Sequence, residues 1–142
     1  MGAKPWPRIL ACGFICGIVW ALLGAVLVGI VGEEFLVAAS RGHLSALTPQ
    51  DHALMFGLTV AAGPWAMWLY SFMRQSIGPG LKSVIAVGLA WWVMAGLQSA
   101  KWMTLGGVPG HAAVPLGLAI LPAMIAATFV GAWFYEREGP KR

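Results

Sequence analysis

The sequence predicts an all-α, polytopic membrane protein: four transmembrane helices in an antiparallel bundle, with both termini cytoplasmic. Three observations carry that expectation. First, the 142 residues are 59% apolar and only 10% charged, against roughly 25% charged in soluble domains. A water-soluble fold of this length has too little interior to hide so much apolar surface, so lipid must take the excess; mean hydropathy is correspondingly +0.78. Second, four apolar stretches, 9–32, 53–73, 83–100 and 112–135, carry charge only at their ends, and each has the roughly 17–25 residues that cross a bilayer as a helix. Third, the nine Lys and Arg residues fall at segment ends and divide unevenly between the two sides.

The first span follows Lys4 and Arg8. Its apolar run is too long for the core of a signal peptide, so it is expected to remain as helix 1. Arg41-Gly42 has the look of a helix C-terminus, which would carry helix 1 past the bilayer to about Ser40. Thr48-Pro49-Gln50-Asp51 reads as an N-cap, a first-turn proline and an acid at the third position of helix 2. The stretch "WLYSFMRQSIGPGLKSV" (68–84) ends helix 2 at Gly78-Pro79-Gly80 and begins helix 3. Residues 106–110, "GGVPG", separate helices 3 and 4. Connections this short make successive helices antiparallel neighbours. Lys4, Arg8, Arg74, Lys82, Arg137, Lys141 and Arg142 then share one side, and Arg41 and Lys101 the other. Basic residues accumulate on the cytoplasmic side, which places the 78–80 turn and both termini there. The chain is expected to be one domain, 1–142, in a bacterial inner membrane.

Helix 1 carries Gly13, Gly17, Ala21, Ala25 and Gly29 at a strict spacing of four. Small residues at that spacing let two helix backbones approach where no hydrophobic force draws helices together. The row has two readings: packing inside the bundle, or docking onto a partner or a second copy. Pro64 and Pro122 lie deep in helices 2 and 4 and should kink their helices or leave carbonyls without a helical donor, while Pro115 is expected in a first turn. Trp20, Trp65, Trp91 and Trp92 fall near the middle of helices 1, 2 and 3, although Trp prefers the membrane interface. They pack within the bundle, or they face a hydrophobic ligand or a partner. Trp6, Trp102, Trp133 and Tyr135 are placed for the interfacial belts.

Candidate chemistry is sparse. His43, His52 and His111 all fall on the side opposite the termini, near Glu33, Glu34 and Asp51. Imidazole with carboxylate can hold a divalent metal, but no H-x-x-x-H or H-E-x-x-H spacing is present, so a solvated rim is the expectation and no metal is assigned. Lys101 could pair there with Glu33 or Glu34. Cys12 and Cys16 sit one helical turn apart in an apolar span and read as small hydrophobes. Coupled transporters keep ionisable groups at mid-depth; none is found in these spans, which argues against proton-coupled transport. No nucleophile elbow, phosphate loop or metalloprotease helix is present, so no enzymatic activity is expected. The +4 net charge is an orientation signal, and no nucleic-acid partner is implied.

Trp68, Leu69, Tyr70, Arg74, Gly78, Pro79, Gly80 and Lys82, followed by Gly131, Ala132, Trp133 and Tyr135, resemble a group of small bacterial four-helix inner-membrane proteins of unassigned function. In that group a W-L-Y stretch leads to an Arg and a G-P-G hairpin with a following basic residue, and the last helix ends in a G-A-W-x-Y run. Relatives often carry a polar or acidic residue within helix 1, where this chain has none. The resemblance covers the last two-thirds of the chain and implies the four-helix hairpin layout without an activity. The functional expectation is a non-catalytic accessory subunit of a larger inner-membrane complex, respiratory and photosynthetic assemblies being the obvious hosts, with the bilayer and other membrane proteins as its partners. The alternative is a binder or carrier of a hydrophobic small molecule such as a lipid, quinone or pigment; no other cofactor is expected.

Overall fold

The computed structural model describes residues 6–32, 37, 49–104 and 109–137. The described residues form four helices: α1, Trp6–Val31; α2, Pro49–Ile77; α3, Leu81–Thr104; and α4, Gly110–Arg137. All four are long and apolar enough to cross a membrane. The shortest has 24 residues, or about 36 Å of helix against a hydrocarbon core of about 30 Å. Each helix extends a few residues beyond its predicted apolar stretch. The first turns add Trp6 to α1 and Pro49 to α2, and the last turns of α2 and α4 contain Arg74 and Arg137. The expected continuation of helix 1 to about Ser40 is not found: α1 ends at Val31 and Gly32, which follows it, is not helical.

The helices run up and down around a ring. α1 lies between α2 and α4, and α3 closes the ring against α4 and, less extensively, against α2. The start of α1, the turn between α2 and α3 and the end of α4 therefore share one end of the bundle, called the base below; the other end is the crown. The turn at the base needs its glycines. Gly78 has φ +98° and Gly80 φ +108°, a region that costs residues with a Cβ roughly 1–2 kcal/mol. The Gly78 amide donates to the Arg74 carbonyl at 3.1 Å and closes α2. The Ser83 hydroxyl donates to the Gly78 carbonyl, and so ties the start of α3 to the end of α2. At the crown, the Pro109 carbonyl accepts from the amides of Ala112 and Ala113, each at 3.1 Å, and opens α4.

The closest approach is between α1 and α2. A Cβ placed on Gly17 would strike the carbonyl of Val60, and one placed on Gly13 would strike the backbone of Pro64. From the other side, a Cβ on Gly63 would meet the Gly13 carbonyl and the backbone of Gly17. Pro64 explains part of this fit. It has no amide to offer the carbonyl of Val60 four residues earlier, and that carbonyl lies against the Gly17 backbone, where Cα–H groups offer weak compensation. α4 adds a third small contact: Gly131 sits on the Cys16 Cβ and the Met67 sulfur, so that a Cβ there would come within 2.8 and 2.9 Å of them. Pro115 is not in the first turn of α4 as the sequence suggested; the helix starts at Gly110 and runs through both Pro115 and Pro122.

Packing is graded along the bundle. The buried cluster includes Ile9, Cys12, Cys16, Met67, Tyr70, Val84 and Ala127, which places it in the half nearer the base. Toward the crown, residues 53–58 of α2 and 96–101 of α3 are all exposed. The buried hydroxyls of Ser71, Ser83 and Thr128 are satisfied locally, as where the Thr128 hydroxyl donates to the Met124 carbonyl at 2.8 Å. Gly63→Val should destabilise the bundle by about 2 kcal/mol through overpacking of the α1–α2 crossing. Gly29→Val, where no atom lies within 4 Å of an added Cβ, should stay within about 0.5 kcal/mol. Reversible unfolding in mixed detergent micelles, followed by tryptophan emission, measures both.

Candidate functional site at the base of the bundle

Polar side chains converge where α1, α2 and α4 meet at the base. Tyr70 and Arg74 are four residues apart on α2 and so lie on one face. Tyr135 and Glu136 come from the last turns of α4, and Arg8 from the first turn of α1. Arg74 Nε lies 2.8 Å from Glu136 Oε1, and Arg74 Nη2 donates to Glu136 Oε2 at 3.0 Å. This two-pronged geometry is the strong form of an Arg–carboxylate pair. The Tyr70 hydroxyl donates to Glu136 Oε1 at 3.1 Å, so the carboxylate holds three donors. This is the only ion pair among the described residues.

Aromatic rings organise the remaining cations. Tyr135 is buried and meets Tyr70 edge-on, with centroids 6.0 Å apart. The Arg8 guanidinium lies 4.3 Å from the centre of the Tyr135 ring and that of Arg74 lies 5.7 Å from it. Nε and Nη2 of Arg8 are buried and have no hydrogen-bond partner. Arg137 stacks on Trp133 at 4.2 Å. The described residues of the base thus carry Arg8, Arg74, Arg137 and the exposed Lys82 against one carboxylate. Beside this cluster lies a groove of about 160 Å³, lined by Tyr70, Val84, Phe129, Ala132, Trp133 and Glu136 among others. Its wall is apolar apart from the Glu136 carboxylate and the Tyr70 hydroxyl. Such a site can receive an apolar chain and hold an anion at its rim.

The residues singled out from the sequence distribute differently. Gly13 and Gly17 face α2, and Ala21 is buried. Ala25 and Gly29 are exposed. Trp20 and Trp91 meet across the bundle with ring centroids 5.4 Å apart, and the Trp92 indole N–H donates to the Gly117 carbonyl at 2.7 Å. Trp65 is 57% exposed and stacks on Trp68 at 4.9 Å; Trp68 in turn meets Phe72 edge-on at 4.7 Å. Tyr135, expected in an interfacial belt, is instead interior. Cys12 and Cys16 are buried without a disulfide. His111 is exposed, and the described residues contain no group of three metal-ligating side chains. His43, Glu33, Glu34 and the side chain of His52 lie outside the described residues, and with them the expected outer rim and the Lys101 pairing.

Sequence reasoning assigned no packing or pairing role to Gly63, Gly131 or Glu136. A mid-helix Gly-Pro step signalled the first. The second stood in the terminal G-A-W-x-Y run. The third could be paired with Arg74 once both were placed at the same end of the bundle. No family model, curated protein or solved structure matches the chain.

Tyr70→Phe should cost about 1 kcal/mol by removing one donor from the carboxylate. A double-mutant cycle of Arg74→Gln with Glu136→Gln should return a coupling of roughly 1 kcal/mol, as both side chains are about one-third exposed. Equilibrium unfolding of the four proteins in one detergent provides the measurement.

Proposed function

We propose that the chain is a non-catalytic accessory subunit of a larger assembly in a bacterial inner membrane, with the base of the bundle on the cytoplasmic side. The observation that supports docking is the division of the α1 small-residue row. Its lower members, Gly13 and Gly17, are taken up by α2. Its upper members, Ala25 and Gly29, are exposed, and an added Cβ on Gly24 or Gly29 meets no atom within 4 Å. A row of small residues on an uncovered helix face is the surface that a helix of another membrane protein can approach closely. Respiratory or photosynthetic complexes are hosts of the right type. The similarity to small four-helix inner-membrane proteins belongs to the same proposal. Orientation rests on the sequence count of Lys and Arg flanking the spans, seven on the side of the 78–80 turn against two on the other.

Purification in mild detergent followed by native mass spectrometry tests the subunit reading. The chain should emerge bound to other membrane proteins, and Gly29→Leu should release them while leaving the unfolding transition of the bundle in place. An isolated four-helix unit carrying a lipid-, quinone- or pigment-sized mass would favour the carrier function instead. For orientation, Pro79→Cys in the exposed turn should react with a membrane-impermeant maleimide only after the cells are permeabilised.

A further inference from the structure

The groove at the base and the cations around it belong to one site, and we propose that it binds an acidic phospholipid. A short part of one acyl chain lies in the groove and the phosphate sits at the rim beside Arg137. This goes beyond the subunit reading and holds whether or not another protein covers α1.

The groove is built for an amphiphile. Its wall is made by Val84, Phe129, Ala132 and the Trp133 ring, while Tyr70 and Glu136 mark its polar end. Phe129 and Trp133 are 49% and 44% exposed, so the groove faces the lipid side of α4 and a chain can enter sideways from the bilayer. Charge then selects the headgroup. Glu136 is the only acid among the described residues of the base, and both of its oxygens are occupied by Arg74, with Tyr70 on one of them as well. The carboxylate's charge is therefore already balanced by Arg74, which leaves it a weak partner for an ammonium headgroup. Arg137 is held over the groove-lining Trp133 by its stacking contact, and makes no ion pair among the described residues. Lys82 follows the groove residue Leu81 in sequence, and Arg8, with two unpartnered nitrogens, adds positive charge behind the Tyr70–Tyr135 wall. Basic pockets between helices at the membrane surface recruit acidic headgroups in this way, at about 1 kcal/mol per basic residue.

Trp133 supplies the probe. The protein is reconstituted in vesicles containing a small fraction of lipid brominated in the acyl chains, either phosphatidylglycerol or phosphatidylcholine, and the Trp133-dependent quenching is read as the difference from Trp133→Phe. Brominated phosphatidylglycerol should bind at least about fivefold better than brominated phosphatidylcholine, the factor that one basic residue supplies. Arg137→Gln should bring that ratio down about fivefold, and Arg137→Lys should keep it. Arg137 is exposed, and the comparison of the two lipids on the unaltered protein requires no variant. Equal quenching by the two lipids overturns the proposal. So does an equal preference at Trp6, which is exposed at the same end but outside the groove, because that would be a general surface attraction. Inorganic phosphate in large excess should leave the preference intact; if it abolishes it, the site takes a free anion and the lipid assignment is wrong.

Discussion

The rest of the bundle depends on two helix backbones touching. Lipid offers no hydrophobic force to bring α1 against α2, so the contact must come from close packing and weak polar interactions. Gly13, Gly17 and Gly63 permit it by having no side chain at the crossing, and Pro64 leaves the Val60 carbonyl facing the glycine surface. Once the two backbones are this close, Cys16 and Met67 present a shallow joint surface. Gly131 of α4 lies directly on that surface. The third helix is thus positioned by the first pair, and the charged cluster at the base follows from where the third helix ends.

That sequence of constraints explains why an ion pair sits between α2 and α4, helices that otherwise touch little. Arg74 and Glu136 are 62 residues apart, and both lie near the ends of their helices. Near the lipid headgroups neither must be taken deep into hydrocarbon, where a charge is costly. Tyr70 and Tyr135 form the floor between them and let the second arginine, Arg8, approach without a second acid among the described residues. The cost of that economy is borne by Arg8, two of whose nitrogens have no partner. Among the described residues the site has more guanidinium than carboxylate, which builds in an electrostatic preference before any ligand arrives.

The architecture was legible from composition and punctuation alone because spans of this length and apolarity have few other outcomes. Gly78-Pro79-Gly80 was recognisable as a turn, and its positive φ angles show why glycine stands on both sides of the proline. Pro49 was recognisable at a helix start. What the sequence concealed was pairing. The small residues of α1 announce a close contact but not that α2 takes only the lower ones. Nothing about Tyr135 in a chain of letters separates a ring lying at the interface from one enclosed between two arginines; the difference depends on where α1 begins relative to α4. The mid-depth tryptophans were ambiguous for a similar reason. Trp20 and Trp91 come together only because α1 and α3 face each other diagonally across the ring, and the Trp92 indole finds its acceptor only after α4 is in place.

The unequal packing of the two ends has a mechanical meaning. Near the turn at residues 78–80, side chains from all four helices interlock, and that end behaves as a root. Toward the opposite end residues 53–58 of α2 and 96–101 of α3 are exposed, and little among the described residues resists the tilting of these two stretches. A bilayer that thins or thickens can be accommodated by splaying these free arms, while the root keeps its geometry. The bundle is in that sense a tuning fork, rigid where the Arg74–Glu136 pair ties α2 to α4 and compliant at the opposite tips.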